Sequence, residues 1–278
     1  MRALLLEVFT APRLCLGLDD AQWDILIPQA RNSGLLASLG LLLRDEGFLD
    51  EIPTVVSRHF HSVISQHEKQ RQSVNYEAKW LSRALAEVGE RLIVLKGGAY
   101  LLAGLPAGSG RLISDIDIIV REMKLKEVEE VLARYGWKHG KLDAYDERYY
   151  RQWMHEIPPM AHDKRGSVLD VHHTILPPTT NAHLDPDKLF SACVSSDSGA
   201  YTLGPLDMVI HSATHLFHEG EFYNGLRDLL DLDRLLRFFS AADENFWTSL
   251  TDRAQELTLG VPLYYALRYT NMYFLTPV

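Results

Sequence analysis

Asp115 and Asp117 stand two residues apart in the most strand-like run of the chain, Ile113 to Val120. In an extended strand, residues i and i+2 project to one face, so both carboxylates converge while Ile116 and Ile118 point the other way. Two like charges that close repel each other unless a cation lies between them. Magnesium is the natural candidate, with manganese as a substitute, because it takes hard oxygen ligands and keeps substrate phosphates in its coordination sphere. A third carboxylate would complete a site for two ions on the order of 4 Å apart, which activate an attacking oxygen and stabilise a leaving pyrophosphate. Asp170, in the β-type run Val168 to His172, is the candidate if its strand neighbours the first. Asp115, Asp117 and Asp170 are thus the candidate catalytic and metal-binding residues.

Upstream, Lys96, Gly97 and Gly98 follow the short apolar run Leu92 to Leu95. Glycines let backbone N–H groups approach an anion closely, and a helix start behind them adds a favourable dipole. No Gly-Lys-Ser/Thr follows, so this is not a P-loop. Lys96 and Arg111 are candidates for the charge that develops on a leaving pyrophosphate. His172 alternates onto the face of Asp170, where it would orient that carboxylate or meet the nucleotide. The nucleotide-binding set is therefore Lys96, Gly97, Gly98, Arg111 and His172. His211, His215 and His218 share a helical face, but no further ligand is evident, and they read as cleft-lining or neutral core groups. His162 and Asp163 adjoin a Lys-Arg-Gly turn rather than a helical bundle, which argues against a metal-binding doublet. Tyr145, Tyr149, Tyr150 and Trp153 are expected to pack in a strand-and-hairpin core.

Three regions would position these groups: a helical region over 1–90, an α/β core over 91–200 and a helical region over 201–278. In the first, apolar residues recur at helical spacing, and His59 to Val88 reads as one long helix. Glu7 interrupts the apolar start, so an amphipathic helix is expected there rather than a signal peptide. In the core, the pattern predicts strands at Leu92–Leu95 and Ile113–Val120, helices at Ala99–Leu105 and Lys124–Tyr135, and a hairpin of Gln152–Ala161 with Ser167–Ile175. Pro158 and Pro159 make the first hairpin strand an edge or an interrupted one. Beyond a polar stretch after Pro177 and Pro178, helices are expected at Leu206–Phe217, Asn224–Phe239 and Phe246–Leu275.

A chain of 278 residues, 46% hydrophobic and 23% charged, can bury a large core, so disorder is not expected. The net charge of -9 argues against bulk nucleic acid as the partner. Two cysteines are too few for a disulfide framework, which suits a reducing cytoplasm. No run is long and apolar enough to predict a membrane span.

The ordered set from Leu95 to Gly98, Arg111 to Val120 and Leu169 to His172 resembles the polymerase-β-type nucleotidyltransferase superfamily. More narrowly, it is similar to a poorly characterised bacterial nucleotidyltransferase family with a Leu-Lys-Gly, an Arg before Asp-Ile-Asp and a later Asp-x-His. Asp207 to Leu236, with its spaced histidines and Arg-Asp-Leu-Leu-Asp, echoes the same family. The resemblance implies an α+β fold: a polymerase-β-like core with a small mixed sheet, flanked by N- and C-terminal helical regions. It implies that Gly97 and Gly98 hold the triphosphate of ATP or another nucleoside triphosphate, and that Asp115, Asp117 and Asp170 hold magnesium. The expected reaction moves a nucleoside monophosphate to a small-molecule or protein acceptor and releases pyrophosphate. Gly98 stands where the superfamily commonly has Ser, which gives weight to an alternative: an inactive nucleotide-binding or antitoxin-like module of the same fold.

Overall fold

The computed structural model describes residues 3–141, 143–177, 180, 185–196, 198–218 and 222–278. Part of the polar stretch after Pro177, namely 178, 179 and 181–184, lies outside these described residues, as do the first two residues of the expected N-terminal helix.

The helical start is α1 (Leu4–Thr10), α2 (Asp20–Asn32), α3 (Leu36–Asp45) and α4 (Thr54–Ala86). Asp19 and Gln22 form a reciprocal capping box that starts α2. The 33-residue α4 buries Phe60, His67, Val74 and Leu81 along one face. Those positions recur every seven residues, which keeps a long helix on one core surface.

The core follows as β1 (Ile93–Val94), α5 (Lys96–Leu102), β2 (Ile116–Ile119), α6 (Leu125–Arg134), β3 (Trp137–His139), α7 (Ala144–Trp153), β4 (Met160–His162) and β5 (Val168–His172). After α8 (Pro186–Ser191), two short strands, β6 (Val194–Ser195) and β7 (Tyr201–Thr202), complete the sheet. Its order is β3-β4-β5-β2-β1-β7-β6, with β2–β5 and β1–β7 parallel and the other pairs antiparallel. This is a mixed α+β architecture. Helices α9 (Pro205–His218), α10 (Gly225–Ala242), α11 (Phe246–Glu256) and α12 (Gly260–Phe274) close the chain. No helix among the described residues is long and apolar enough to cross a membrane.

Several expected elements differ from the structure. The expected strand over Ile113–Val120 shrinks to Ile116–Ile119, so Asp115 sits in the bend that leads into β2. The expected helix Phe246–Leu275 is two helices, broken at Leu257–Leu259, where Thr258 takes a left-handed φ of 58°. The aromatic residues of 145–153 do not pack in a strand core. They lie on α7, where Tyr145, Tyr149 and Trp153 are exposed; at the four-residue spacing of a helix face, Tyr145 stacks on Tyr149 and Tyr149 meets Trp153 edge-on.

The expected hairpin is present in shortened form as β4 and β5: residues 152 and 153 of its first arm belong to α7, and that arm is interrupted at the two prolines. Met160 pairs with Leu169, but Glu156 bridges His172, so the first arm carries one more residue than its partner between these pairs. Pro158 and Pro159 occupy that bulge, where a missing N–H is tolerated. One continuous cluster of buried apolar side chains extends from Leu5 in α1 through Ile118 in β2 to Phe274 in α12.

The loop between α5 and β2 is clamped from both sides. Ser109 O accepts from Ser38 Oγ of α3 (3.1 Å) and from Arg234 Nη1 of α10 (2.7 Å). Gln70 of α4 brackets Ile113, donating to its carbonyl (2.8 Å) and accepting from its N–H (3.1 Å). At Gly110, φ is 75° and an added Cβ would overlap the backbone nitrogen of Ser38. Gly110→Ala should therefore lower stability by about 2–5 kcal/mol, from left-handed strain plus backbone overlap. Gly89, also at positive φ but with open space around it, should lose only about 1–2 kcal/mol on the same change. Urea denaturation of the two variants checks this; equal losses would show that the close approach to α3 is unimportant.

Candidate active site

The parallel register of β2 and β5 sets Asp117 directly opposite Asp170 and Ile119 opposite His172. Paired residues share a sheet face, so Asp117, Asp170 and His172 lie on one side, while Ile116, Ile118, Leu169 and Val171 fill the core on the other. Asp115, two residues before Asp117, is half-buried at the start of that face.

Lys96 Nζ donates to Asp117 Oδ1 at 2.8 Å. The lysine reaches back because its own backbone turns sharply between β1 and α5, with φ of 48°, an unusual value for a residue with a Cβ. His172 Nε2 lies 3.0 Å from the same oxygen and 3.4 Å from Glu156 Oε2. Burial alone would push the Asp117 carboxyl up, but the Lys96 ammonium and the His172 hydrogen bond hold it well below the usual carboxylate range. Both bonds fall on Oδ1, and Oδ2 takes no hydrogen bond among the described residues.

Asp170 is in the opposite condition. Its Oδ1 is buried with no hydrogen-bond partner among the described residues. Burial, reinforced by the charges of Asp117, Glu156 and Asp115, pushes its carboxyl up to about 7. Glu156 is likewise pushed up by burial, to about 7. Four acids thus crowd one spot, with the Lys96 charge directly on one of them. Crowded acids with an orphaned buried oxygen fit divalent cations, and the hard oxygens of Asp115, Asp117 and Asp170 suit magnesium or manganese.

Glu156 and its neighbour His155 were not among the residues singled out from sequence. The proline bulge brings Glu156 opposite His172, and His155 stacks on the His172 ring at 5.1 Å between centroids. Burial pushes the His155 imidazole down to about 3, so it is neutral. The ligand atoms of His155, Glu156 and His172 lie within 4.8 Å of one another, a second group with metal-ligand chemistry. A His-Glu pair just ahead of Pro-Pro, in the interrupted arm of a hairpin, is the signal that could have found it.

A cleft of about 200 Å³ opens beside the acids, lined by Lys96, Gly97, Arg111, Asp115, Asp117 and residues of α9 and α10. Arg111 is buried there, its Nε 2.8 Å from Asp231 and its Nη2 3.6 Å from Asp228, which hold it charged against the cost of burial. Arg227, also on the wall, contacts Asp228 at 3.0 Å. Gly97 lines the cleft, and an added Cβ would lie 2.7 Å from Ile113 Cγ2. Gly98 instead turns its Cβ position toward Val94 at 3.0 Å, so a side chain there presses on β1.

Of the three histidines on one helical face, His211 is buried and His215 lines the cleft. Burial lowers His211 strongly and His215 to about 4, so both are neutral. Among the described residues they join no group of three metal-ligating side chains. His162 is satisfied within its turn, near Tyr135 O and the N–H groups of Lys164 and Arg165.

Residues 19–274 match the model of a family described as "Uncharacterised nucleotidyltransferase". Searches of curated proteins and of solved structures return no match.

Repulsion among the acids predicts that Asp170→Asn stabilises the metal-free protein at pH 8. We expect a rise in Tm of about 2–4 °C, the shift that about 1 kcal/mol produces near this chain length. Manganese should stabilise the wild type and not the variant. A drop in Tm in metal-free buffer would identify Asp170 as a support of the sheet instead.

Proposed function

The chain belongs to the uncharacterised nucleotidyltransferase family, and from that premise we propose that it transfers a nucleoside monophosphate from a nucleoside triphosphate to an acceptor, releasing pyrophosphate. The observation that carries this reading is the β2–β5 register, which sets Asp117 opposite Asp170, with Lys96 bonded to Asp117 and Asp115 in the bend just ahead of β2. The β2–β5 pair, with Lys96 and the glycines after β1, is what supports a polymerase-β-like core.

Asp115, Asp117 and Asp170 would hold magnesium, or manganese in its place, which when bound supplies positive charge to the triphosphate and the departing pyrophosphate. Lys96 has three donors on its ammonium, so it keeps Asp117 in place and still reaches a phosphate oxygen. The backbone at Gly97 and Gly98 receives the phosphates, because the missing side chain at Gly97 leaves the cleft wall bare. Arg111 lends positive potential to the cleft while anchored to α10, and Arg227 extends it.

His172 donates to Asp117 and fixes the direction of that carboxylate. Asp170, whose Oδ1 has no hydrogen-bond partner among the described residues, accepts the proton of the attacking acceptor. Positioning and charge do most of the catalysis, as in other phosphoryl transfers. With a net charge of -9, a small molecule or a protein is favoured over bulk nucleic acid as the acceptor. A cytoplasmic setting supplies the nucleotide and the magnesium.

Each of the four α-32P-labelled nucleoside triphosphates, incubated with the protein, magnesium and cell extract, should be screened for labelled product. The Asp115→Asn, Asp117→Asn double variant should retain its circular dichroism spectrum and lose transfer by at least roughly a thousandfold, about 4 kcal/mol of barrier. Undiminished transfer by that variant defeats the assignment.

A further inference from the structure

Asp115 stands at the junction of two hollows. The first is the cleft described above, lined by Lys96, Arg111 and Arg227. The second, of about 180 Å³, lies between α4 and the β4–β5 turn and is lined by Gln70, Ser73, Arg165 and Ser167, among others. Ile113, Ser114 and Asp115 belong to the walls of both.

The two differ in their cations. Three line the first, each also bonded to an acid of the same wall. In the second, the Arg165 guanidinium is taken up by Glu77, with bonds of 2.6 and 2.7 Å to its two carboxylate oxygens. A polyphosphate therefore suits the first hollow and a neutral polar group the second. Displacement at phosphorus places the attacking and leaving oxygens roughly in line, on opposite sides of the atom. With pyrophosphate departing on the Lys96 side, the attacking group enters from the other side of the acids.

We propose that the hollow between α4 and the β4–β5 turn is the acceptor site, and that it takes a hydroxyl-bearing group of roughly sugar or phenol size. This rests on the nucleotidyl-transfer reading above. Its volume is close to that of a cavity, roughly 150 Å³, which accommodates benzene. Its walls are already fixed: Gln70 brackets Ile113, and Ser167 Oγ donates to Glu77 at 2.6 Å. Such pre-positioning reduces the ordering cost of bringing the acceptor to the phosphate. In the step itself, the acceptor oxygen bonds to the α-phosphorus and the bond from that phosphorus to the bridging oxygen of the β-phosphate breaks. Pyrophosphate leaves with that electron pair, and the acceptor proton passes to Asp170. The shared chemistry is a hydroxyl, from a free small molecule or from a protein side chain.

Ser73 is exposed on α4, its Oγ bonded to Lys69 O, and it lines this hollow without touching the acids. The test uses full-length Ser73→Cys, modified with benzyl methanethiosulfonate and then restored with dithiothreitol. Wild-type protein, carrying Cys15 and Cys193, is treated in parallel. The readout is label transferred from the α-32P nucleotide into the protein and small-molecule fractions of extract. The expected result is a fall of roughly tenfold or more on modification, full recovery on reduction, and unchanged magnesium–nucleotide binding by calorimetry. Label in one fraction identifies the source of the hydroxyl. Undiminished transfer after modification overturns the proposal, and so does a loss of nucleotide binding together with transfer. If neither wild type nor unmodified variant labels any product, the transfer reading itself fails, and the acceptor site with it.

Discussion

Mutual repulsion among Asp115, Asp117, Asp170 and Glu156 is the constraint on which the rest of this structure turns. Acids gathered on one face of a buried strand pair raise the energy of the fold unless something holds them there. Lys96 and His172 both bond one oxygen of Asp117, which draws that group firmly into its ionised form. Asp170 receives no such help, and its buried oxygen is left without a partner among the described residues. The site thus contains one settled carboxylate and one unsettled one, the asymmetry expected where a cation and a proton must both be handled.

Holding those charges together requires a rigid frame, and the helices supply it. The segment 109–113 is bonded by Ser38 of α3, Gln70 of α4 and Arg234 of α10. It carries Arg111 into ion pairs with Asp231 and Asp228 and delivers Asp115 to the mouth of the cleft. Breaking such a buried pair from one side costs roughly 3–5 kcal/mol, far more than an exposed one, so the loop is held by strong restraints. Helices α3, α4 and α10 therefore help to build the site.

Much of the site could be read from local patterns. The two-residue spacing of Asp115 and Asp117, the run around Asp170 and the glycines after a short strand were all legible, because strand periodicity is a property of the chain itself. The long α4 was legible for the same reason, its apolar positions recurring on one face. Glu156 was not, since its place depends on a bulge at Pro158 and Pro159 whose phase cannot be known until β4 and β5 are paired. The aromatic residues of α7 were misassigned because rings usually find a core, and nothing local shows that this helix leaves most of them on the surface.

The sequence by itself determined which residues are candidates for the chemistry and pointed to the family to which the chain belongs, because residue type and short spacing are encoded locally. Only the tertiary structure decided which of those residues meet. It paired Asp117 with Asp170 across a parallel register, turned Lys96 back onto Asp117, and anchored Arg111 to α10. It also left Gly97 on the cleft wall, close against Ile113. Each outcome depends on contacts between residues far apart in the chain, set by packing and charge balance across the whole core.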